Sequence, residues 1–256
     1  MEIIRPTVHH LDLNHREEGA TVFIVGAGPQ LATLSREMLA ELSRRPTIGV
    51  NLTQHMVAPS YFISAYLDHH IMARLRAPDA VFIHMRPVLA PPPLDFLLPV
   101  RRQRFDPGMI LHAELDAEDP LIITRRNVAL GATHLALILG TRNIVYIGVE
   151  QDNASHFYDE LEPVKALIRA DLEVLKDYRD LPRDHGYTTS EIVTAALETP
   201  PHELRAQPFG EDHTDVFAEY FRQIRGHGGA IYSASASGVV NRAGAEPVTI
   251  EQSLDL

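Results

Sequence analysis

The sequence has no cysteine and no tryptophan among its 256 residues. The lack of cysteine excludes disulfides, thiolate catalysis and cysteine-ligated zinc. No hydrophobic run approaches the roughly 18 residues that a transmembrane helix needs, and residues 1–15 are too polar for a signal peptide. These absences predict a chain without a membrane span, located in the cytoplasm.

Positive charge is also scarce, and only two of the 23 basic residues, Lys165 and Lys176, are lysines. The formal net charge of -11 argues against extensive binding to nucleic acid, because such binding needs a broad cationic face. The remaining basic residues are arginines, which suit bidentate contact with phosphate. A bias in codon usage would give the same composition.

What is present is typical of a globular enzyme-sized domain. The hydrophobic fraction of 45% and the charged fraction of 22% are ordinary values for a folded chain. We predict a single nucleotide-binding α/β domain over residues 1–256. Within it, residues 87–120 are expected to form an irregular insertion rich in proline and arginine, and the C-terminal third is expected to be mostly helical, with a polar tail.

Short apolar segments typical of strands alternate along the chain with longer segments whose apolar residues recur at helical spacing. Short β-rich runs and longer amphipathic or small-residue segments follow one another, which predicts a mainly parallel, Rossmann-like sheet with helices on both faces. Ligands of such sheets bind at the carboxyl ends of the strands. The predicted strands are residues 21–25, 47–50, 61–66, 80–85, 121–124, 143–149 and 230–233, and the predicted helices are residues 31–42, 127–139, 158–178, 188–197 and 212–225.

A glycine-rich turn, Gly26-Ala27-Gly28-Pro29, follows the first predicted strand and opens a helix. Glycines at this point let backbone N–H groups approach a phosphate, and the helix N-terminus favours negative charge. The turn is not the dinucleotide fingerprint, because Leu31 occupies the third glycine position, and no Walker A lysine follows. A tight turn without a ligand is the alternative interpretation.

Polar residues also follow other predicted strands. Asn51 ends the second strand, where its amide could bind a base or sugar hydroxyl or could close an Asx turn. Residues 150–156 form a dense polar segment for which we predict a binding role; a solvated loop with Asp152 or Ser155 as a helix cap is the alternative. Asp68, His69 and His70 could be metal ligands, but adjacent helical residues do not share a face. Helix capping by Asp68 is therefore the preferred interpretation.

His213 immediately precedes the last long amphipathic helix. The proton affinity of histidine suits a general base, and the position of this residue singles it out from the other histidines. The alternative is an exposed side chain beside an N-cap formed by Asp212 or Thr214.

Taken together, these segments resemble a known family. Residues 23–31 (FIVGAGPQL) are similar to the opening turn of bacterial lipooligosaccharide sialyltransferases and their relatives, which include motif-associated flagellin glycosyltransferases and archaeal hydroxymethylpterin pyrophosphokinases. Asn51 matches the second-strand asparagine of that family. Residues 127–149 resemble its late helix and strand, with Glu150 where the family usually has Asp. Residues 213–221 and the later segment with Ser235 and Ser237 resemble its closing helix and last strand.

The resemblance implies a metal-independent glycosyltransferase that uses a CMP- or UDP-linked sugar as a co-substrate and has no tightly bound cofactor. It implies His213 as the general base, with Asp212 or Glu211 as a substitute. Gln30 stands where the family has serine, and Arg126 or Asn127 replaces the serine expected before the late helix. The residues predicted to bind the nucleotide sugar are Gly26, Ala27, Gly28, Gln30, Asn51, Arg126, Asn127, Gly148, Glu150, Ser235 and Ser237.

The acceptor could be a glycan, a protein or a modified nucleic-acid base, and the sequence leaves a homo-oligomer open. The basic segment at residues 101–104 favours an anionic acceptor, unless it is only a solvated loop. Two other functions remain open. The first is a pterin pyrophosphokinase, in which Asp68, Glu150 and Asp152 could hold Mg²⁺. The second is a non-catalytic nucleotide-binding protein.

Overall fold

A parallel β-sheet forms the centre of the molecule. The computed structural model describes residues 10–85, 97–125, 127–150, 156–175, 197 and 213–256. Eight strands form one sheet in the order β10-β9-β8-β1-β2-β3-β4-β5, and every adjacent pair is parallel; β6 and β7 form a separate parallel pair. The strands are β1 (Thr21–Val25), β2 (Thr47–Val50), β3 (Tyr61–Ser64), β4 (Val81–His84), β5 (Leu97–Pro99), β6 (Arg101–Arg104), β7 (Leu121–Thr124), β8 (Asn143–Ile147), β9 (Ala230–Ser233) and β10 (Glu246–Pro247).

Helices cover both faces of the sheet. In the described part of the chain they are α1 (Arg36–Leu42), α2 (Leu67–Arg76), α3 (Val128–Ile138), α4 (Phe157–Glu160), α5 (Glu162–Leu175), α6 (Thr214–Gly226), α7 (Val239–Arg242) and α8 (Ile250–Leu254). Short 3-10 turns occupy His10–Leu13, Pro29–Thr33 and Thr53–His55. None of the described helices is long and apolar enough to cross a membrane.

The hydrophobic core has two layers, one on each face of the sheet. Successive residues of a strand point to opposite faces, so Val22 and Ile24 pack in one layer while Phe23 and Val25 pack in the other. The first layer includes α3 and α6, and the second includes α2 and α5. Strands buried on both faces read as continuous apolar runs, which is why the sequence predicted them well.

The strand order reverses once. The chain proceeds from β1 outward to β5, returns to place β8 beside β1, and then continues to β9 and β10 on the other side. The reversal point between β1 and β8 is where open α/β sheets form a crevice at their carboxyl ends. The predicted α/β class with a mainly parallel sheet is therefore confirmed.

Several predicted elements have the bounds that the structure shows. Residues 21–25, 47–50, 121–124 and 230–233 are strands as predicted. The predicted helix 127–139 is α3, which Asn127 caps and which ends before Gly140 in the left-handed conformation, with φ of 74°. The predicted strands 61–66, 80–85 and 143–149 are shorter at their ends.

The predicted helix 31–42 is wrong in its first half. Residues Pro29–Thr33 form a 3-10 turn, and Leu34 is extended. The α-helix begins only at Arg36, because the Ser35 side chain accepts a hydrogen bond from the Met38 N–H (3.2 Å) and caps it. The apolar spacing predicted a helix but did not locate this cap.

Two segments predicted as irregular contain regular structure. Residues 101–104 of the basic segment form β6, paired with β7, and residues 97–99 form β5. The polar tail contains α7, β10 and α8, where Thr249 and Gln252 form a reciprocal capping box. The predicted helix 158–178 is divided into α4 and α5 as far as residue 175. The predicted helix 188–197 lies outside the described residues except for Leu197.

Candidate functional site

The glycine turn after β1 packs directly against the end of β8. The Gly26 N–H donates to the Ile147 carbonyl and the Gly28 N–H donates to the Gly148 carbonyl, both at 2.8 Å. A Cβ atom on Gly26 would overlap the Gly148 carbonyl oxygen, and one on Gly28 would overlap the Glu150 carboxylate. The glycines therefore allow two strand ends to touch, and these two N–H groups are engaged within the protein rather than turned toward a phosphate. Ala27 lies between them and is buried.

Gln30 connects the ends of three structural segments. Its Oε1 accepts hydrogen bonds from the Gly148 N–H (3.2 Å) and from the Ser235 hydroxyl (2.8 Å), and its Nε2 donates to the Ala234 carbonyl. These bonds tie the turn after β1 to the segments that follow β8 and β9. Gln30 and buried Ser235 thus hold the reversal point together, whereas Ser237 is exposed.

Glu150 lies at the same convergence. Its carbonyl accepts a hydrogen bond from the Val239 N–H (2.8 Å), which begins α7. Gly238 precedes it with φ of 123°, and a Cβ there would overlap the Glu150 backbone. Gly148 has φ of 66° beside the turn of Gly26. The structure therefore brings Gly26, Ala27, Gly28, Gln30, Gly148, Glu150 and Ser235 together, and their binding of a nucleotide sugar stays a prediction.

His213 stands directly before α6, and its carbonyl accepts the first helical hydrogen bond, from the Phe217 N–H (2.9 Å). The residue is buried, which excludes the alternative of an exposed side chain. The predicted partner Asp212 and the predicted ligand Arg126 lie outside the described residues.

A second group of predicted residues lines a pocket of about 210 Å³ at the same edge of the sheet. Asn51 enters it from the end of β2, and Asn127 enters it from the start of α3. The lining combines amide, hydroxyl and guanidinium groups with a few apolar ones. The residues are Asn51, Ser64, Ala65, Tyr66, Met85, Arg102, Thr124, Asn127 and Val128.

Local backbone structure places the two asparagines. Asn51 has φ of 61°, a left-handed conformation that asparagine tolerates better than most residues. Asn127 is the N-cap of α3, where its Oδ1 accepts from the Ala129 N–H (2.9 Å) and its carbonyl accepts from the Thr124 hydroxyl (2.5 Å). Asn51 thus turns the chain after β2, and Asn127 starts α3.

Strand alternation separates the arginines of β6. Arg101 makes a bidentate bond to Asp119, with N–O distances of 2.8 and 2.6 Å, while its neighbour Arg102 lines the pocket. Successive strand residues point to opposite sides. The sequence predicted a basic loop, and the strand that replaces it places Arg102 in the pocket lining.

Sequence reasoning missed Ser64 as a site residue. Its hydroxyl oxygen accepts from the Tyr66 N–H (3.0 Å) and lies 3.4 Å from the His69 Nδ1. The His70 Nε2 lies 3.2 Å from the Ser64 carbonyl oxygen. The predicted cap of α2 is wrong, because Tyr66 occupies the N-cap position and Asp68 is the second helical residue. The sequence feature that could have indicated this site is a serine at the end of a strand, Ser64, followed within one or two helical turns by His69 and His70.

Burial and, as a smaller contribution, the charge of His55 together lower the pKa of His69 to about 4. Burial also holds the pKa of His70 well below its usual value. Both rings are therefore neutral near pH 7. Among the described residues, no group of three or more acidic or histidine side chains is arranged to hold a metal ion, so Asp68, His69 and His70 do not form such a site.

A larger cavity of about 480 Å³ lies at the opposite edge of the sheet, between the amino ends of β3 and β4. Arg16 lies over the Tyr61 ring there, and the Tyr61 hydroxyl donates to Glu17 (2.5 Å). We place the functional site at the smaller pocket, because the carboxyl edge is where parallel α/β sheets bind ligands and where the predicted residues converge.

The fold and the site define a parallel α/β protein with a polar pocket at the carboxyl edge of its sheet. No protein-family model matches this sequence, and comparison with curated protein sequences gives no significant match. The family resemblance described above therefore stays a prediction.

Proposed function

We propose that the protein is a nucleotide-sugar-dependent glycosyltransferase that transfers a sugar from a CMP- or UDP-linked donor to an acceptor hydroxyl. The observation that carries the proposal is the convergence of Asn51, Asn127 and Arg102 on one pocket at the carboxyl edge. Asn51 is the nucleotide-binding asparagine that the family resemblance predicts. The two amides can recognise a base or sugar, and the guanidinium can bind a phosphate.

The pocket and the crevice between β1 and β8 together supply the donor site in this proposal. Ligand sites usually have volumes of roughly 300–1,000 Å³, so a pocket of 210 Å³ takes only part of a nucleotide sugar. The crevice formed around Gly28 and Glu150 lies at the same edge of the sheet. The donor would extend along that edge.

In the proposed reaction the acceptor oxygen attacks the anomeric carbon, and the bond to the nucleotide phosphate breaks. Arg102 stabilises the charge that develops on the leaving phosphate. His213, the base that the resemblance predicts, is not among the residues lining the pocket. The proposal therefore does not depend on His213 as the proton acceptor.

Ligand-induced stabilisation tests the proposal. The purified protein is melted with CMP, UMP, UDP and their sugar conjugates in EDTA, and with ATP in Mg²⁺. A nucleotide at about 100 times its dissociation constant adds roughly 2.7 kcal/mol of stability, which raises the Tm by roughly 5–10 °C for a chain of this size. We expect this shift with a cytidine or uridine nucleotide in EDTA.

Arg102→Ala provides the site-specific arm of the experiment. Loss of a charged hydrogen bond to phosphate costs about 1.5–3 kcal/mol, so the dissociation constant should rise roughly 10- to 100-fold. Arg101→Ala is the matched control, since Arg101 bonds to exposed Asp119 and should leave binding unchanged. Stabilisation by ATP only with Mg²⁺ would favour the pyrophosphokinase instead. If no nucleotide shifts the Tm, the transferase proposal is wrong.

A further inference from the structure

Ser64 belongs to the pocket lining, and its hydroxyl faces the buried imidazole of His69. Ser64 is 1% exposed as a whole residue, and His69 is 6% exposed. Ser64 ends β3, and His69 lies in the first turns of α2. The pair therefore joins the pocket to the interior of the protein.

The direction of the hydrogen bonds follows from the available protons. The Tyr66 N–H donates to the Ser64 oxygen, so the serine proton is available for the His69 Nδ1, 3.4 Å away. This arrangement requires an unprotonated Nδ1. The lowered pKa of His69 keeps its ring neutral near pH 7. A neutral ring carries one proton, and the relay places that proton on Nε2 so that Nδ1 is the acceptor.

His70 fixes the same serine from the backbone side. Its Nε2–H donates to the Ser64 carbonyl, and its ring packs edge-on against Phe62 and His84. Burying several imidazoles costs solvation free energy. Two of them contact Ser64: His69 lies at its hydroxyl, and His70 bonds to its backbone carbonyl.

We infer that Ser64 and His69 form a proton relay that accepts the proton of the acceptor hydroxyl. Ser64 is the catalytic residue, and His69, which acts through it, is the positioning residue. This inference rests on the proposed function, and it assigns the proton acceptor to a pair of residues other than His213.

The relay conserves protons and charge. The acceptor hydroxyl gives its proton to the Ser64 oxygen as the serine proton passes to the His69 Nδ1. The acceptor oxygen bonds to the anomeric carbon, and the nucleotide phosphate leaves with the electron pair of the broken bond. The resulting imidazolium later releases its proton to water. A histidine beside a serine hydroxyl can take the serine proton as the serine oxygen forms a new bond.

Charged and titratable groups surround His69 on several elements. His55, on the 3-10 turn after β2, lowers the His69 pKa through its charge. His55 in turn contacts Asp171 of α5, which also binds Arg76 of α2. His70 lies next to His69 on α2 and interacts with His84 of β4. Asp68 precedes His69 on the same helix. Two residues of the pocket lining contact His69: Ser64 through its hydroxyl, and Tyr66 through its ring, which packs edge-on with ring centroids 5.3 Å apart.

The first measurement is covalent labelling with a fluorophosphonate probe, which needs no donor. The Ser64 oxygen would bond to phosphorus as fluoride leaves, and His69 would take the serine proton. We expect mass spectrometry to find the label on Ser64. Ser64→Ala should abolish it, and His69→Ala should reduce it at least tenfold. Ser60→Ala is the matched control, because Ser60 lies at the other end of β3 and bonds to the Arg45 carbonyl.

Chemical rescue separates proton transfer from a merely structural role of His69. Imidazole added to His69→Ala should restore labelling in proportion to the neutral form of imidazole, because a neutral ring must accept the proton. Ser64→Thr keeps the hydroxyl and should keep labelling within about tenfold. Melting curves for each variant verify that it is folded. An unlabelled Ser64 in the wild type, or labelling unaffected by His69→Ala, would overturn the relay.

Nucleotide release from the donor selected by thermal shift is the second measurement, with water as the acceptor. Ser64→Ala and His69→Ala should lower the rate roughly 100-fold, a typical contribution of acid–base catalysis, while nucleotide-induced stabilisation is unchanged. If His213→Ala alone lowers release, the base is His213 and the relay is wrong although the proposed function stands. If no nucleotide stabilises the protein, the proposed function itself fails.

Discussion

Asn51 shows how a single backbone conformation can combine folding and binding. Its φ of 61° lies in the left-handed region. For residues with a Cβ atom other than Asn and Asp, this conformation raises the free energy of the folded state by about 1–2 kcal/mol. Its side chain lines the pocket. The structural and binding contributions of the residue can therefore be separated by mutation.

We predict that Asn51→Ala lowers the free energy of unfolding by about 1 kcal/mol, because alanine resists this conformation. Asn51→Gly should keep stability within about 0.5 kcal/mol, since glycine adopts it freely. Both variants should lose nucleotide-induced stabilisation. Urea unfolding and thermal shift measure the two effects. Full stabilisation by nucleotide in Asn51→Gly would show that the amide takes no part in binding.

His134 is a residue whose protonation state the structure specifies. Its Nδ1 accepts from the Ile123 N–H (2.9 Å), and its Nε2–H donates to the His112 carbonyl (2.8 Å). Burial lowers the His134 pKa to about 4. The ring joins α3 to β7, both of which border the pocket.

The free energy of unfolding should consequently fall as pH decreases from 6.5 to 4. In the unfolded chain His134 binds a proton below about pH 6.5, whereas in the folded protein it binds one only below about pH 4. Between these pH values protonation stabilises only the unfolded state. The difference between the unfolded and folded pKa of His134 corresponds to a loss of roughly 3 kcal/mol in the free energy of unfolding. His134→Gln can make both hydrogen bonds but cannot titrate. Its urea-derived stability should therefore depend less steeply on pH than that of the wild type, and equal slopes would contradict the prediction.

At the scale of elements, a buried carboxylate holds α5 against the segments near the pocket. Asp171 of α5 lies 2.9 Å from the His55 Nε2 and binds Arg76 of α2 through two nitrogens, at 2.9 and 2.5 Å. Asp171 and His55 are buried, whereas the Arg76 side chain is 32% exposed. The Asp171 carboxylate thus connects three elements.

Asp171→Ala should lower the free energy of unfolding by about 2–3 kcal/mol. Removing one partner from a buried ion pair costs roughly 3–5 kcal/mol, and the exposure of Arg76 reduces that cost. Glu162→Gln is the control, because Glu162 lies on the same helix and pairs with Arg169 in solvent. We expect a change of less than about 1 kcal/mol there. Equal effects of the two substitutions in urea unfolding would argue against a special role for Asp171.

Strands buried on both faces were predictable from the sequence. Elements that form only through pairing or capping by other residues were not. The run Thr21–Val25 is β-rich and almost wholly apolar, which is typical of a strand buried on both faces. By contrast, β6 reads as a basic loop, since Arg101–Arg104 has no apolar residue, and only pairing with β7 makes it a strand. The cap at Ser35 likewise competes with the apolar spacing around it.

At the scale of the molecule, the sequence located the crevice because each predicted residue follows a strand. Gly26, Gly148 and Ser235 come together because each follows a strand that ends at the same edge of the sheet. The sequence could not reveal that Gln30 would be engaged by backbone and serine, or that Ser64 would face His69. Both facts depend on distances between segments far apart or on side-chain directions, which local patterns do not specify.

The position of β8 beside β1 also has a consequence for folding. Thr21 and Asn143, paired in register at the start of these strands, are 122 residues apart in the chain. During synthesis β1 to β5 leave the ribosome before β8 exists, so one side of β1 remains an open edge able to pair with another chain. Pairing over this distance raises the contact order and slows folding. A nascent chain that stops before residue 143 should therefore be prone to aggregation, and the crevice should assemble late in folding.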